Sequence, residues 1–172
     1  GPLDLHLIGE GRHERLWEAL GAHPRTHEGV AGTSFSVWAP EARGVRVVGD
    51  WNDWHGTAHP LRALGGSGVW ELFVPGIGPG QRYKFEVLGA DGVTRSKADP
   101  MAQATERPPA NASVVYRSTH RWSAADAEWR ERRSRSHPID ERVAVYEVHL
   151  GSWRRFGPDR GDYLDYRDLA EQ

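Results

Sequence analysis

From Thr33 onward, apolar and polar positions alternate with a period of two. Phe35 and Val37 share a face, and Val45 and Val47 share one with Arg46 opposite. Trp70, Leu72 and Val74 oppose Glu71 and Phe73, and Tyr83, Phe85 and Val87 oppose Lys84 and Glu86. Such alternation predicts strands with one buried and one solvated face. Weaker strand signals lie at Pro60–Leu64, Val93–Lys97 and Ser113–Tyr116. Ala39-Pro40, Gly49 to Asp53, Gly65-Gly66-Ser67-Gly68, Gly76 to Gly80 and Asp91-Gly92 supply the turns between them. With no helical period interleaved between Thr33 and Tyr116, the pattern predicts a mainly β fold, an immunoglobulin-like antiparallel β-sandwich of about 100 residues.

Outside that region the period changes. Gly11 to Leu20 predicts a short helix with Leu16, Trp17 and Leu20 on one stripe, and Pro24 forbids its continuation. Ser123 and Asp126 form a capping box opening a second helix that runs to about Ser134, with His137-Pro138 closing it. Val143 to Leu150 is too densely apolar for a one-sided strand and predicts burial on both faces, as in a parallel sheet or barrel. Glu147 and His149 within it must then be paired or stand at a rim. A polar loop follows, and Asp165 caps a helix beginning at Tyr166. The chain divides into a helical lead-in at 1–29, a β-sandwich at 30–118, a helical linker at 119–142 and one strand–helix unit at 143–172.

Charge and cysteine content narrow the partners. Lys and Arg number 22 against 24 Asp and Glu, a formal net charge of −2, which gives no electrostatic reason to expect nucleic acid or an anionic membrane. There is no cysteine, no run near the ~18 apolar residues of a membrane span, and no secretory leader, since Leu3–Ile8 is short and broken by Asp4 and His6. A cytoplasmic location is the expectation. Arg outnumbers Lys 20 to 2, and the acids match it.

The stretch richest in candidate chemistry is Val47 to Trp54, Val-Val-Gly-Asp-Trp-Asn-Asp-Trp, a strand delivering a two-tryptophan turn. Two arrangements satisfy it. Both indoles can pin the turn in the core, or one can anchor the core while the other offers a flat apolar face to a ligand. A flat face beside amides and carboxylates suits a sugar ring, which packs through C–H and hydrogen-bonds at its rim. Other candidates have plainer explanations. Asp162, Asp165 and Asp168 sit at a helix start and suit capping. His23/His27 and His55/His59 have i,i+4 spacing, but Pro24 and Gly56 argue against the helices a metal pair would need, and no metal or other cofactor is expected. Gly76, Gly78 and Gly80 lack the Lys-Ser/Thr of a phosphate loop. Arg130, Arg132, Arg133 and Arg135 alternate with Glu128 and Glu131 as on a solvated helix face.

Four stretches resemble carbohydrate-binding module family 48: Gly-Thr-Ser-Phe-Ser-Val-Trp-Ala-Pro (32–40), Val-Val-Gly-Asp-Trp-Asn-Asp-Trp (47–54), Gly-Val-Trp-Glu-Leu-Phe (68–73) and Tyr-Lys-Phe-Glu (83–86). Val-Tyr-Glu-Val-His-Leu-Gly-Ser-Trp (145–153) and Tyr-Arg-Asp-Leu-Ala (166–170) look like the first strand and helix of the α-amylase family (β/α)8 barrel, as found in bacterial 1,4-α-glucan branching enzymes. His-Leu-Ile-Gly-Glu-Gly (6–11) is similar to theirs as well. The resemblance implies a module preceding a retaining glycosyltransferase that moves α-1,4-linked glucan onto 6-hydroxyls, with α-glucan and the remainder of the barrel as partners. It places the catalytic carboxylates on barrel strands four, five and seven, none of them in this chain. A barrel needs ~250 residues, so 143–172 would be its truncated first βα unit, and this stretch alone is expected to be catalytically silent. In binding members of the module family the second aromatic of the turn and the lysine of the Tyr-Lys-Phe strand contact sugar, which implicates Trp54 and Lys84, with Asn52 beside them. A further tryptophan found in the following hairpin of those members is missing from Gly89–Thr94. A free-standing glucan-binding or regulatory module, and the same region of a debranching or trehalose-forming enzyme, are the alternative readings.

Overall fold

The computed structural model describes residues 1–140, 142–157 and 161–171. Contacts divide the chain into two units, Gly1–Thr119 and His120–Gln172. The first opens with helix α1 (Pro2–Gly9) and a single helical turn, α2 (Leu16–Ala19). Eight strands follow: β1 (Gly21–His27), β2 (Val30–Trp38), β3 (Gly44–Gly49), β4 (Arg62–Ala63), β5 (Val69–Pro75), β6 (Arg82–Leu88), β7 (Thr94–Lys97) and β8 (Ser113–Val114). One sheet has the order β1-β2-β5-β4. The other has the order β3-β6-β7, with β8 also pairing along β6, and the ladders in both are antiparallel.

The alternation of the sequence is the alternation of the sheets. Phe35, Val37, Val45, Val47, Val74, Tyr83 and Phe85 are buried in one cluster with Leu61 and Val115, and Trp70, Leu72 and Val87 pack against it. Phe35 is the aromatic hub. Its ring stacks on Trp51 at 5.4 Å and meets Tyr83 edge-on at 5.1 Å, and Tyr83 in turn meets Phe85 at 5.8 Å. These are the tilted and offset geometries that aromatic quadrupoles favour.

Two departures from the sequence reading lie at the front. Gly11–Leu20 is reduced to the turn α2, while α1 forms earlier, with Pro2 at its first turn where a missing N–H costs nothing. Strand β1 runs through Pro24, within the stretch read as helical lead-in. It is an edge strand, the place where proline is tolerated in a sheet.

A carboxyl group is buried here beside the hydroxyl of Ser113. Asp99 is 6% exposed, and its carboxylate accepts the Tyr83 hydroxyl at 2.5 Å and the Met101 N–H at 2.8 Å, while its own N–H donates to Ser113 Oγ at 2.8 Å. Burial pushes its carboxyl above the ordinary 3.8, against the opposing pull of the Tyr83 bond. The folded state therefore holds the Asp99 proton more tightly than the unfolded chain. Its contribution to stability is complete below pH about 3.8 and declines as pH rises toward the folded-state value. In Asp99→Asn that decline is gone, so urea unfolding of the two proteins at stepped pH should show the variant gaining relative to the parent from about pH 4 upward. A pH-independent difference would refute the assignment.

The second unit holds helix α3 (Ala124–Arg135), the single turn α4 (Leu150–Trp153), a two-residue hairpin of β9 (Arg155–Phe156) with β10 (Asp162–Tyr163), and the short helix α5 (Tyr166–Ala170). The Ser123–Asp126 capping box forms as expected, and Asp165 accepts the Arg167 and Asp168 N–H groups at 2.8 and 2.9 Å. Arg132 pairs with Glu128 and Arg135 with Glu131, which makes the basic run a solvated helix face.

The strand expected at Val143–Leu150 does not form. Residues 142–149 have no regular structure, Val145 and Tyr146 are 88% and 82% exposed, and Leu150 begins α4. Apolar density alone does not make a strand: the backbone needs ladder partners, and none of the described strands pairs with this segment. No (β/α)8 barrel unit is therefore present among the described residues. Val143, Tyr146, Trp153, Phe156, Tyr163 and Tyr166 are exposed as well, an apolar surface of the kind that drives association. A chain ending at Thr119 should scatter less light than the full chain at equal mass concentration. Equal scattering would clear the segment of blame.

Candidate functional site

The two-tryptophan turn is built from the end of β3. Gly49 carries no Cβ, and one placed there would strike the Arg82 carbonyl and the Trp51 ring, so only glycine lets the indole fold back onto the sheet. Asp50–Asn52 then form one helical turn, and Asp53 and Trp54 follow with φ of 51° and 61°. Two successive non-glycine residues in the left-handed region are strained, on the order of 1–3 kcal/mol each. The Asn52 carboxamide holds them there. Its oxygen accepts the Gly49 N–H at 2.9 Å, and its nitrogen donates to the Val47 carbonyl and meets His59 Nδ1, both at 3.1 Å. Asn52 therefore shapes the turn, and its hydrogen-bonding groups face the protein.

The two indoles have different surroundings. Trp51 lies against the core, with its N–H buried and without an acceptor among the described residues. Trp54 is half-buried. Its indole lies beside Asp50, whose carboxylate accepts the Arg82 backbone N–H at 2.9 Å and the Arg82 guanidinium at 2.8 to 3.1 Å. Those Arg82 bonds, with a smaller contribution from Trp54, hold the Asp50 carboxyl below its ordinary range.

Arg82 also reaches Glu106 at 3.1 Å, and Glu106 accepts the Ala112 N–H at 3.0 Å. Lys84, two residues along β6 on the same face as Arg82, donates to Asn111 at 2.5 Å and adds its charge to those lowering the Glu106 carboxyl, after the Ala112 and Arg82 hydrogen bonds. Contacts thus run from Trp54 through Asp50 and Arg82 to Glu106, and the nearby Lys84 charge acts on Glu106. The arrangement offers an apolar ring beside charged and amide groups held in fixed positions. Both carboxylates of this network, Asp50 and Glu106, are already paired, which leaves neither free for acid–base chemistry.

Arg82, Glu106 and Asn111 are absent from the sequence reading. They join Asp50 and Lys84 only through the pairing of β6 with β3 and β8, which lies 24 to 32 residues away along the chain. The remaining candidates are elsewhere. His23 contacts the Leu20 carbonyl, His59 serves the turn, and no group of three or more His, Asp or Glu converges as a metal site among the described residues. No helix of the described residues is long and apolar enough to cross a membrane.

The chain is similar to known proteins. Residues 19–102 match the family model of carbohydrate-binding module 48, the isoamylase N-terminal domain. The whole chain is 58% identical to part of the 1,4-alpha-glucan branching enzyme GlgB 1 of Streptomyces coelicolor and covers 21% of it. It is 59% identical to part of GlgB of Frankia casuarinae, again covering 21%. It therefore spans about a fifth of the length of these curated relatives. Among solved structures, Klebsiella pneumoniae pullulanase complexed with maltotriose is similar at a TM-score of 0.47 and 24% identity, over 57% of this chain and 9% of that one. Residues 19–102 thus resemble carbohydrate-binding module 48, within a chain that is similar over its full length to part of 1,4-alpha-glucan branching enzymes.

Proposed function

We propose that this chain serves a branching enzyme that transfers α-1,4-linked glucan to 6-hydroxyls in glycogen synthesis, and that its sandwich contacts the glucan through Trp54 and Lys84. The observation that carries the reading is the identity of 57–59% with five branching enzymes, in alignments that cover the whole chain, both the sandwich and residues 120–172. On the sandwich, Trp54 supplies the platform and Lys84 and Asn111 the polar rim. Asn52 supports the site by fixing the turn. The exposed apolar run at 143–150 becomes an inner strand once the barrel of the parent protein supplies a strand on either side.

With a single indole platform, stacking contributes on the order of 1 kcal/mol beyond buried area, and affinity for malto-oligosaccharides is expected no better than about millimolar. NMR titration with maltoheptaose tests the site. Signals of residues 50–54, 82–84 and 111 should shift in the parent. Trp54→Ala should abolish the shifts and Lys84→Ala should weaken them, with thermal unfolding unchanged for the lysine variant. Unchanged maltoheptaose shifts in Trp54→Ala would remove the proposed site.

A further inference from the structure

The opposite sheet carries a second, differently built recess. On the outer face of β1-β2-β5-β4, Arg25 and His27 from β1, Ser34 from β2, Glu71 and Phe73 from β5 and Arg62 from β4 enclose a groove of about 450 Å³. Its aromatic wall is fixed. The Phe73 ring crosses the position where Gly32 would carry a Cβ, and a methyl there would meet both the ring and the Val74 carbonyl. From β1, the His27 ring braces Phe73 at 5.4 Å, tilted by 56°.

The charges in the groove do not cancel. Arg62 is neutralised by Glu71 at 2.5 Å. Arg25 has no acidic partner among the described residues: its Nε donates to the hydroxyl of Ser34, a residue only 5% exposed at the floor of the groove. That bond engages Nε and leaves the two terminal nitrogens of this groove-lining residue as a fork of donors, a pattern that matches a phosphate or carboxylate. A held aromatic ring next to a held, uncompensated guanidinium recognises a molecule with an apolar ring face and an anionic group beside it.

We infer that this groove binds a phosphorylated sugar, its pyranose ring against Phe73 and its phosphate on Arg25. The same chemistry is available from a free hexose phosphate and from a phosphate ester carried on a glucan chain. The groove shares no residue with the Trp54 face, so the inference stands apart from the proposed glucan contact.

The test is NMR titration of the 172-residue chain with four probes: glucose 6-phosphate, a 6-phosphorylated maltotetraose, maltose and inorganic phosphate. Either or both phosphorylated sugars should shift the signals of residues 25–27, 32–34 and 71–73 and saturate. The tighter of the two identifies the source. Maltose should leave these signals in place, and inorganic phosphate should bind more weakly than the phosphorylated sugar. Arg25→Gln, at an exposed side chain, should weaken binding about tenfold without changing thermal unfolding. Trp54→Ala should leave the shifts as they are, which separates this site from the other face. The inference is overturned if neither phosphorylated sugar shifts these residues, if maltose shifts them equally, if inorganic phosphate binds as tightly, or if Arg25→Gln binds like the parent.

Discussion

Trp51→Ala is expected to lower stability by about 3–5 kcal/mol, while Trp51→Phe should stay within about 1 kcal/mol of the parent. The large loss follows from position. The indole stacks on Phe35, the hub of the core, touches His59 edge-on at 6.3 Å and fills the space that Gly49 leaves open. Truncation removes its transfer free energy and leaves a cavity between the strand β3 and the turn it begins. The small loss with phenylalanine follows from the N–H, which is buried and meets no acceptor. Phenylalanine keeps the stack and deletes a donor whose burial is itself unfavourable. Urea denaturation of both variants decides the matter. A Phe variant as damaged as the Ala variant would mean that the indole nitrogen is engaged after all.

Gly49→Ala should destabilise by about 2–3 kcal/mol, the upper part of the range for overpacking. The new methyl meets the Arg82 carbonyl, which the β3–β6 ladder fixes opposite, and the six-membered ring of Trp51. Since the ring can move and the carbonyl cannot, Trp51→Ala relieves only part of the clash. The double variant should therefore lose less than the sum of the two single losses yet more than Trp51→Ala alone. Strict additivity in a double-mutant cycle would show that Gly49 and Trp51 do not share this space.

Strands are legible in the sequence where they bury one face. β2, β3, β5 and β6 were legible because each solvated face is polar enough to expose the period, and the Ser123 box and Asp165 cap because local hydrogen bonding defines them. β1 was illegible because an edge strand tolerates Pro24 and carries Arg25, Thr26 and His27, so neither period nor propensity marks it. Val143–Leu150 shows the reverse error: its residues favour a strand, but pairing is a property of neighbours. At the site, Trp54 and Lys84 were visible as residue types. Asn52 looks like a ligand group in the sequence because short polar residues suit both sugars and turns, and only the geometry shows its carboxamide bonded to Gly49, Val47 and His59. The Asp50–Arg82–Glu106 network could not be foreseen without the register of β6.

On the proposed reading of Trp54 as a glucan platform, the left-handed pair Asp53–Trp54 sets stability against recognition. Glycine adopts φ near +60° without penalty, and asparagine does so more readily than tryptophan, so selection of this module for heat tolerance alone would favour Asp53→Gly, Asp53→Asn or Trp54→Gly. The first two changes keep the indole and relax the turn that presents it. The third discards the platform for the same gain in backbone freedom. A thermostability screen run without a glucan selection would therefore be drawn toward a module that survives heat and no longer presents the ring, and the frequency of glycine at position 54 among its survivors would measure how much strain the fold has been carrying there.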